Sequence, residues 1–229
     1  MRRKSLFILV LVIALLSLQS CKSHPEQGLL ARYFDAMTMN DTMTLATMAL
    51  EPMKIEWSAW KILKVSEEQI VPAPLPDLNK LEMDSKKTMD GHVTPTLEAK
   101  DAVDIAKDEY DSARTAAAKA AAKKKVDDAQ KKYDEETSLH NELKKAYNEA
   151  KAAASREEEI TSFSLGAGQL ANIRDLKGTV HTKDAEVEVK AKAGSTENWR
   201  FSLKMYRLKD ETLNLNHNGR WVIIKQERI

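Results

Sequence analysis

The sequence predicts an α+β protein: a small antiparallel curved sheet with N-terminal helices, plus a long α-helical, coiled-coil-like insertion. Three observations predict it. Residues 185–205 alternate apolar and polar side chains at the period of half-buried strands. Leu29, Leu30, Tyr33, Phe34 and Met37 recur at the spacing of one helix face. Between these parts, from Thr96 to Leu165, there is neither glycine nor proline, and alanine fills 16 of the 64 positions from 97 to 160.

In chain order, the first segment reads MRRKSLFILVLVIALLSLQSCKS. Arg2, Arg3 and Lys4 precede an apolar run from Leu6 to Leu16, too short to span roughly 30 Å of hydrocarbon as a helix and suited to the core of a secretory signal. Leu18-Gln19-Ser20-Cys21 resembles the lipobox of bacterial lipoproteins, although Gln19 departs from the usual residue there. That resemblance implies a signal peptide over 1–20, an acylated Cys21 as mature N-terminus, and a lipidated tether over 21–28. Lys22 and Ser23 stand where aspartate would mark inner-membrane retention, so it further implies an outer-membrane protein facing the periplasm. Cys21 is the only cysteine; once acylated, it leaves no thiol for a disulfide or a nucleophile.

Loss of Arg2, Arg3 and Lys4 takes the formal charge from +1 to −2. Such a balance argues against nucleic acid, which demands clustered Lys and Arg. Membrane attachment then falls to the acyl chains, several of which hold far better than one.

After the first helical stripe, Asp41 is set to cap a second short helix carrying Leu45, Met48 and Leu50. Pro52 stops it. Ile55, Trp57 and Ala59 then alternate with Lys54, Glu56 and Ser58, and the apolar phase switches at Trp60 and Ile62. A one-residue slip of this kind predicts a β-bulge and a bent strand.

Residues 72–165 form the insertion. Its start, rich in proline, reads as a stiff extended connection with a short helix from Leu78 to Met89. Beyond it, Val103, Ala106, Tyr110, Ala113, Ala117 and Ala120 step by threes and fours, a heptad seam. Val126, Ala129, Tyr133, Glu136, His140, Leu143, Tyr147, Ala150 and Ala154 repeat the steps in a second register. The slip between the two falls within 121–126. Either one helix carries a rotating seam, or the chain folds back near 121–126; a hairpin-like stalk is the favoured reading.

In the last part, Ala185, Val187 and Val189 alternate with charged residues. A turn at AGSTEN leads to Trp199, Phe201, Leu203 and Met205, and Asn218-Gly219 reads as a hairpin turn. Together, 29–71 and 166–229 resemble a nuclear transport factor 2-like (cystatin-like) domain: an opening helix LLARYFDAM, a short second helix from Asp41, a bent strand, and a meander closing on GRWVIIKQ. The resemblance covers about half the chain and rests on pattern. An unrelated antiparallel α+β domain is the alternative.

Enzymes of that fold use a carboxylate base and a Tyr or Asp oxyanion donor. Only Tyr33, Asp35, His181 and Tyr206 invite that comparison. Asp35 falls on the wet face of its helix and Tyr206 outside the inward strand phase, and the remaining acids are expected in water. His24, His92, His140, His181 and His217 lack ligand spacing, and no phosphate-binding glycine loop occurs. No catalytic residue, cofactor or metal is therefore expected. Tyr33, Trp57, Trp60, Trp199, Phe201 and Trp221 either pack the core or line a pocket for a small apolar ligand. The expected function is contact with another envelope protein through residues 97–160, with self-association through the same rod as a further option. Ligand binding in the cone of the small domain is the alternative.

Overall fold

The computed structural model describes residues 24–166, 170 and 172–229. Cys21 and the whole of the signal segment lie outside them. The chain is α+β, with a curled antiparallel sheet and one helix of 50 residues. It divides into two compact units, one within Met1–Gln69, Thr182–Met205 and Arg220–Ile229, the other comprising Ile70–His181 and Tyr206–Gly219. The second unit thus includes strand ends that sequence reading gives to the small domain.

In the first unit, helix α1 (Pro25–Thr38) begins on Pro25, whose fixed φ suits a first turn. Half of the expected tether is therefore helical. Helix α2 (Thr42–Met48) is capped by Asp41, which accepts the Thr44 N–H at 3.0 Å. Strand β1 (Trp57–Val65) pairs antiparallel with β3 (Lys177–Ala191), with register shifts at Trp57/Ala59 and Ile62/Lys64. The first shift is the expected bulge. With the second, it turns Trp57, Trp60, Ile62 and Val65 all toward the core.

Strand β4 (Thr196–Asp210) pairs with β5 (Leu215–Asn218) near its end and with β6 (Val222–Arg228) nearer its start. The strand β2 (Gln69–Pro72) pairs with β3. Ala185, Val187, Val189, Phe201 and Leu203 all point into the core, as their alternation predicts.

Asn218-Gly219 is not a hairpin turn, because β5 and β6 run back along the same strand. The reversal lies at 211–214, where Asp210 Oδ1 accepts the N–H groups of Thr212 and Leu213 and Asn214 takes φ 51°. Gly219 serves close approach instead: its N–H donates to the Tyr206 carbonyl at 2.7 Å. A Cβ there would sit 2.5 Å from Ser164 Oγ and 2.8 Å from that carbonyl.

In the second unit, helix α3 (Leu75–Gly91), α4 (Val93–Ser112) and α5 (Ala116–Leu165) make a hairpin, with α3 and α4 both packed on α5. The short helix expected from Leu78 to Met89 is present and longer, spanning Leu75 to Gly91, so little of the connection is extended. Its prolines do not prevent this, since Pro74 caps the helix and Pro76 falls in the first turn, where no i−4 bond is needed. The chain reverses at 113–115, not at 121–126. Ala113 and Thr115 are extended, and the Thr115 hydroxyl caps α5 by accepting the Ala118 N–H at 3.2 Å. That reversal explains the two registers. The buried and half-buried positions of α3 and α4 step by threes and fours from Leu75 through Glu82, Met89, His92 and Ala99 to Tyr110 and Ala113, and those of α5 from Ala122 through Tyr133, His140 and Ala150 to Ser164. Ala117 and Ala120, before the second seam begins, are exposed. At 1.5 Å per residue α5 is about 75 Å long. It ends on Gly166 at φ 61°, a left-handed conformation that favours glycine.

Gly219→Ala tests the close approach to Ser164. We expect a loss of about 1–3 kcal/mol, read from urea unfolding, whereas Gly28→Ala, in helix α1 with open space around it and no positive φ, should cost less.

Candidate functional site

The aromatic residues that sequence reading offers as a pocket form a packed cluster in the first unit. Phe34 stacks on Trp60 with centroids 4.7 Å apart and meets Trp57 edge-on at 5.1 Å. Tyr33 lies edge-to-face with Phe201 at 5.9 Å. Tyr33, Phe34 and Phe201 are fully buried, and Trp199 and Trp221 pack against the same core. The indole N–H of Trp199 is buried without a partner among the described residues. Tyr33 is committed to structure: its hydroxyl accepts the Met53 N–H at 2.9 Å and faces Gln226 Oε1 at 3.4 Å. Burial pushes its phenol up to about 12.

Where a site does take shape in this unit is at the start of α1. Glu26, 2 % exposed, receives His24 Nδ1 at 2.9 Å and Lys183 Nζ at 3.2 Å. Lys183 also lies 3.5 Å from Glu68 and stands over the Trp221 ring at 5.5 Å. Burial alone would raise the Glu26 carboxyl; its own backbone N–H, His24 and Lys183 outweigh that and hold it below its ordinary range. A depression of about 430 Å³ beside it is lined by Trp60, Ile62 and Val65 together with His24, Glu26 and Lys61. Of the six aromatic candidates only Trp60 reaches this wall. A second depression of about 280 Å³ takes in Lys183, Asp184 and Lys204.

Neither Glu26 nor Lys183 appears among the residues that motif reading singles out, yet both had a signal. Lys183 shares the parity of Ala185, Val187 and Val189, so a charge stands in the inward phase of β3. Glu26 precedes Leu30 by one helical turn, on the apolar stripe.

The second unit holds another buried carboxylate. Glu157, 7 % exposed, accepts the Tyr206 hydroxyl, and the Tyr206 N–H donates to Ser164 Oγ at 3.2 Å. Burial first, and the adjacent carboxylate second, drive the Tyr206 phenol far above its usual range. The expectation that the acids of the insertion all face water fails here. Glu157 continues the seam of Ala150 and Ala154, and a seam position is buried whatever residue occupies it. Nearby in the same unit, Arg174 bridges Glu82 at 2.6 Å and Glu158 at 2.7 Å. Asp35 is exposed as expected, and His181, 4 % exposed, pairs with the Thr179 hydroxyl at 3.2 Å.

In the hairpin, His92 Nε2 meets Glu136 at 2.9 Å and its ring stacks on His140 at 6.1 Å. His217 lies on β5. Among the described residues no group of three or more His, Cys, Asp or Glu is placed to hold a metal ion, and no helix is long and apolar enough to cross a membrane. Comparison of the chain with protein-family profiles, curated proteins and solved structures finds no match in any of the three.

Lys183→Met should cost about 3 kcal/mol at pH 7, because it strands the buried Glu26 carboxylate. The folded Glu26 titrates below its unfolded value near 4.3. Its stabilising share is therefore full above that value and is lost as pH falls through the folded one. The gap between wild type and variant should accordingly narrow below about pH 4 in urea unfolding.

Proposed function

We propose that the protein is a non-catalytic, membrane-anchored envelope lipoprotein that acts through protein–protein contacts, with the α3–α4/α5 hairpin as spacer or docking arm. The observation that carries this reading is the hairpin itself. Its two limbs use their seams on each other, and among the described residues the core of the first unit is built by α1, α2, the strands and the loops adjoining them alone. A 50-residue helix that the core does not need is best explained by reach and by the surface it presents. That surface is charged, with exposed pairs such as Lys125–Glu109 at 2.6 Å and Lys123–Asp127 at 3.0 Å. Such pairs add little stability and suit a face that meets other proteins through water.

A non-catalytic role is supported by how the buried acids are used. Glu26 is held by Lys183 and His24, and Glu157 by Tyr206. General acid–base chemistry needs such a group poised to exchange a proton with a substrate; here each carboxylate already has protein partners. The alternative of a small apolar ligand in the cone has less support, because Tyr33, Phe34 and Phe201 fill the space between α1 and the sheet. The membrane anchor rests on Leu18–Cys21, and outer-membrane placement on Lys22 and Ser23.

Two experiments test this. Replacing residues 97–135 by a flexible loop of about four residues shortens the hairpin while joining Thr96 to Glu136 in register. The variant should stay in the membrane fraction and lose the partners that photo-crosslinking captures with the full chain; recovery of the same partners would sink the docking role. Separately, Cys21→Ser should abolish incorporation of an alkyne-tagged fatty acid and release the protein from membranes. Undiminished labelling would refute the anchor.

A further inference from the structure

The hairpin carries a polar layer at the point where its first limb is weakest. Between α3 and α4 the helical bonding lapses at Gly91-His92, because Pro95 has no N–H to give the Gly91 carbonyl. The Thr96 N–H reaches the His92 carbonyl only at 3.4 Å. At this joint His92 Nε2 lies 2.9 Å from Glu136 Oε2, with the two side chains 14 % and 25 % exposed. The His92 ring is stacked on that of His140, centroids 6.1 Å apart and planes 25° apart. Among the described residues, the buried His140 Nδ1 and the buried Thr137 Oγ1 have no hydrogen-bond partner.

An imidazole changes charge within the range pH 5–8, so the groups around the pair decide what protonation does. From α5, among the described residues, Glu136 is the charged group within ion-pair distance of it, and Thr137 is neutral. From α4, Thr96 Oγ1 lies 3.3 Å from His92 Nδ1 and donates to the His92 carbonyl at 3.0 Å. Met89 of α3 and Tyr133 and Leu143 of α5 fill the adjoining seam positions without charge. The exposed pairs Lys131–Glu135 and Lys145–Glu149 flank the layer along α5, and Lys80–Asp84 lies along α3. Of the ion pairs that join different elements, Arg174 with Glu82 and Glu158 lies about 15 Å away along α3 and Lys125 with Glu109 about 25 Å along α4.

One carboxylate therefore serves two imidazoles. A first proton completes the His92–Glu136 ion pair. A second sets like charges a ring-stack apart and turns the buried Nδ1 of His140 into an N–H with no acceptor, and both effects oppose closure of the seam. We infer that the His92–His140–Glu136 layer is an acid-sensitive hinge: it closes the hairpin at neutral pH and, when doubly protonated, opens it at the Gly91-His92 joint. This holds independently of whether the hairpin docks a partner.

Hydrogen exchange on the full chain at pH 7.5 and 5.5, corrected for intrinsic rates, tests the hinge. Segments 88–99 and 133–144 should lose at least about tenfold protection on acidification, while 150–164 keeps its own. His140→Leu, which restores an apolar seam, and His92→Gln should both abolish that loss. Unchanged protection of the wild type at pH 5.5 would overturn the proposal without reference to any variant, and so would an equal acid loss in a folded His140→Leu.

Discussion

A helix seam in which alanine, threonine and histidine alternate with a few larger apolar side chains buries little apolar area per turn, so the hairpin of the second unit holds only if no turn of it is wasted. At roughly 25 cal/mol per Å², an alanine layer contributes a fraction of what a leucine layer would. The chain meets that constraint by keeping one seven-residue register through the whole of α3 and α4, even across the lapse at His92, and a matching one through α5 from Ala122 to Ser164. The remaining features of the unit follow from it. The reversal has to fall at 113–115, where the first seam ends, and α5 has to run on until Glu157 and Ser164 meet Tyr206. Gly219 is required there because a side chain would occupy the space Ser164 takes.

The first unit solves the opposite problem. It has few residues but large ones, and aromatic packing gives its core both area and direction. Phe34 touches Trp57, Trp60 and Phe201 at once, so α1 can lie on the sheet in only one rotation. Two bulges in β1 make this contact available by turning four large side chains of a nine-residue strand to the same side. The buried Glu26–Lys183 pair then closes the edge of this core nearest the N-terminus of α1.

Much of this was legible in the sequence, and the failures share a cause. Period-2 alternation placed Val187, Val189, Phe201 and Leu203 on the inward face, and the phase slip at Trp60 located a bulge, because those patterns depend on nothing beyond the strand itself. Asp41 was readable as a cap for the same reason. What did not show were positions fixed by a partner distant in sequence. Asn218-Gly219 carries the chemistry of a tight turn, yet its glycine is there for Ser164, 55 positions earlier in the numbering. The reversal at 113–115 contains no glycine or proline; its only local mark is Thr115, a cap that the surrounding alanines hide. Lys183 and Glu157 point to solvent by residue type, yet register alone puts both inside.

Those inward charges bear on how an alanine-rich hairpin finds a single alignment. Sliding one limb by a heptad exchanges one set of small side chains for another and changes the apolar contact very little. The polar groups make the registers unequal. In the observed alignment Glu157 has Tyr206, Arg174 has both Glu82 and Glu158, and His92 has Glu136. A shift of seven residues in α5 carries Glu157, Glu158 and Glu136 about 10 Å away from those partners. A buried carboxylate without a partner costs more than several alanine layers contribute. The residues least suited to a helix seam are thus the ones that select its register, and stability per turn is given up in exchange for a hairpin of defined length.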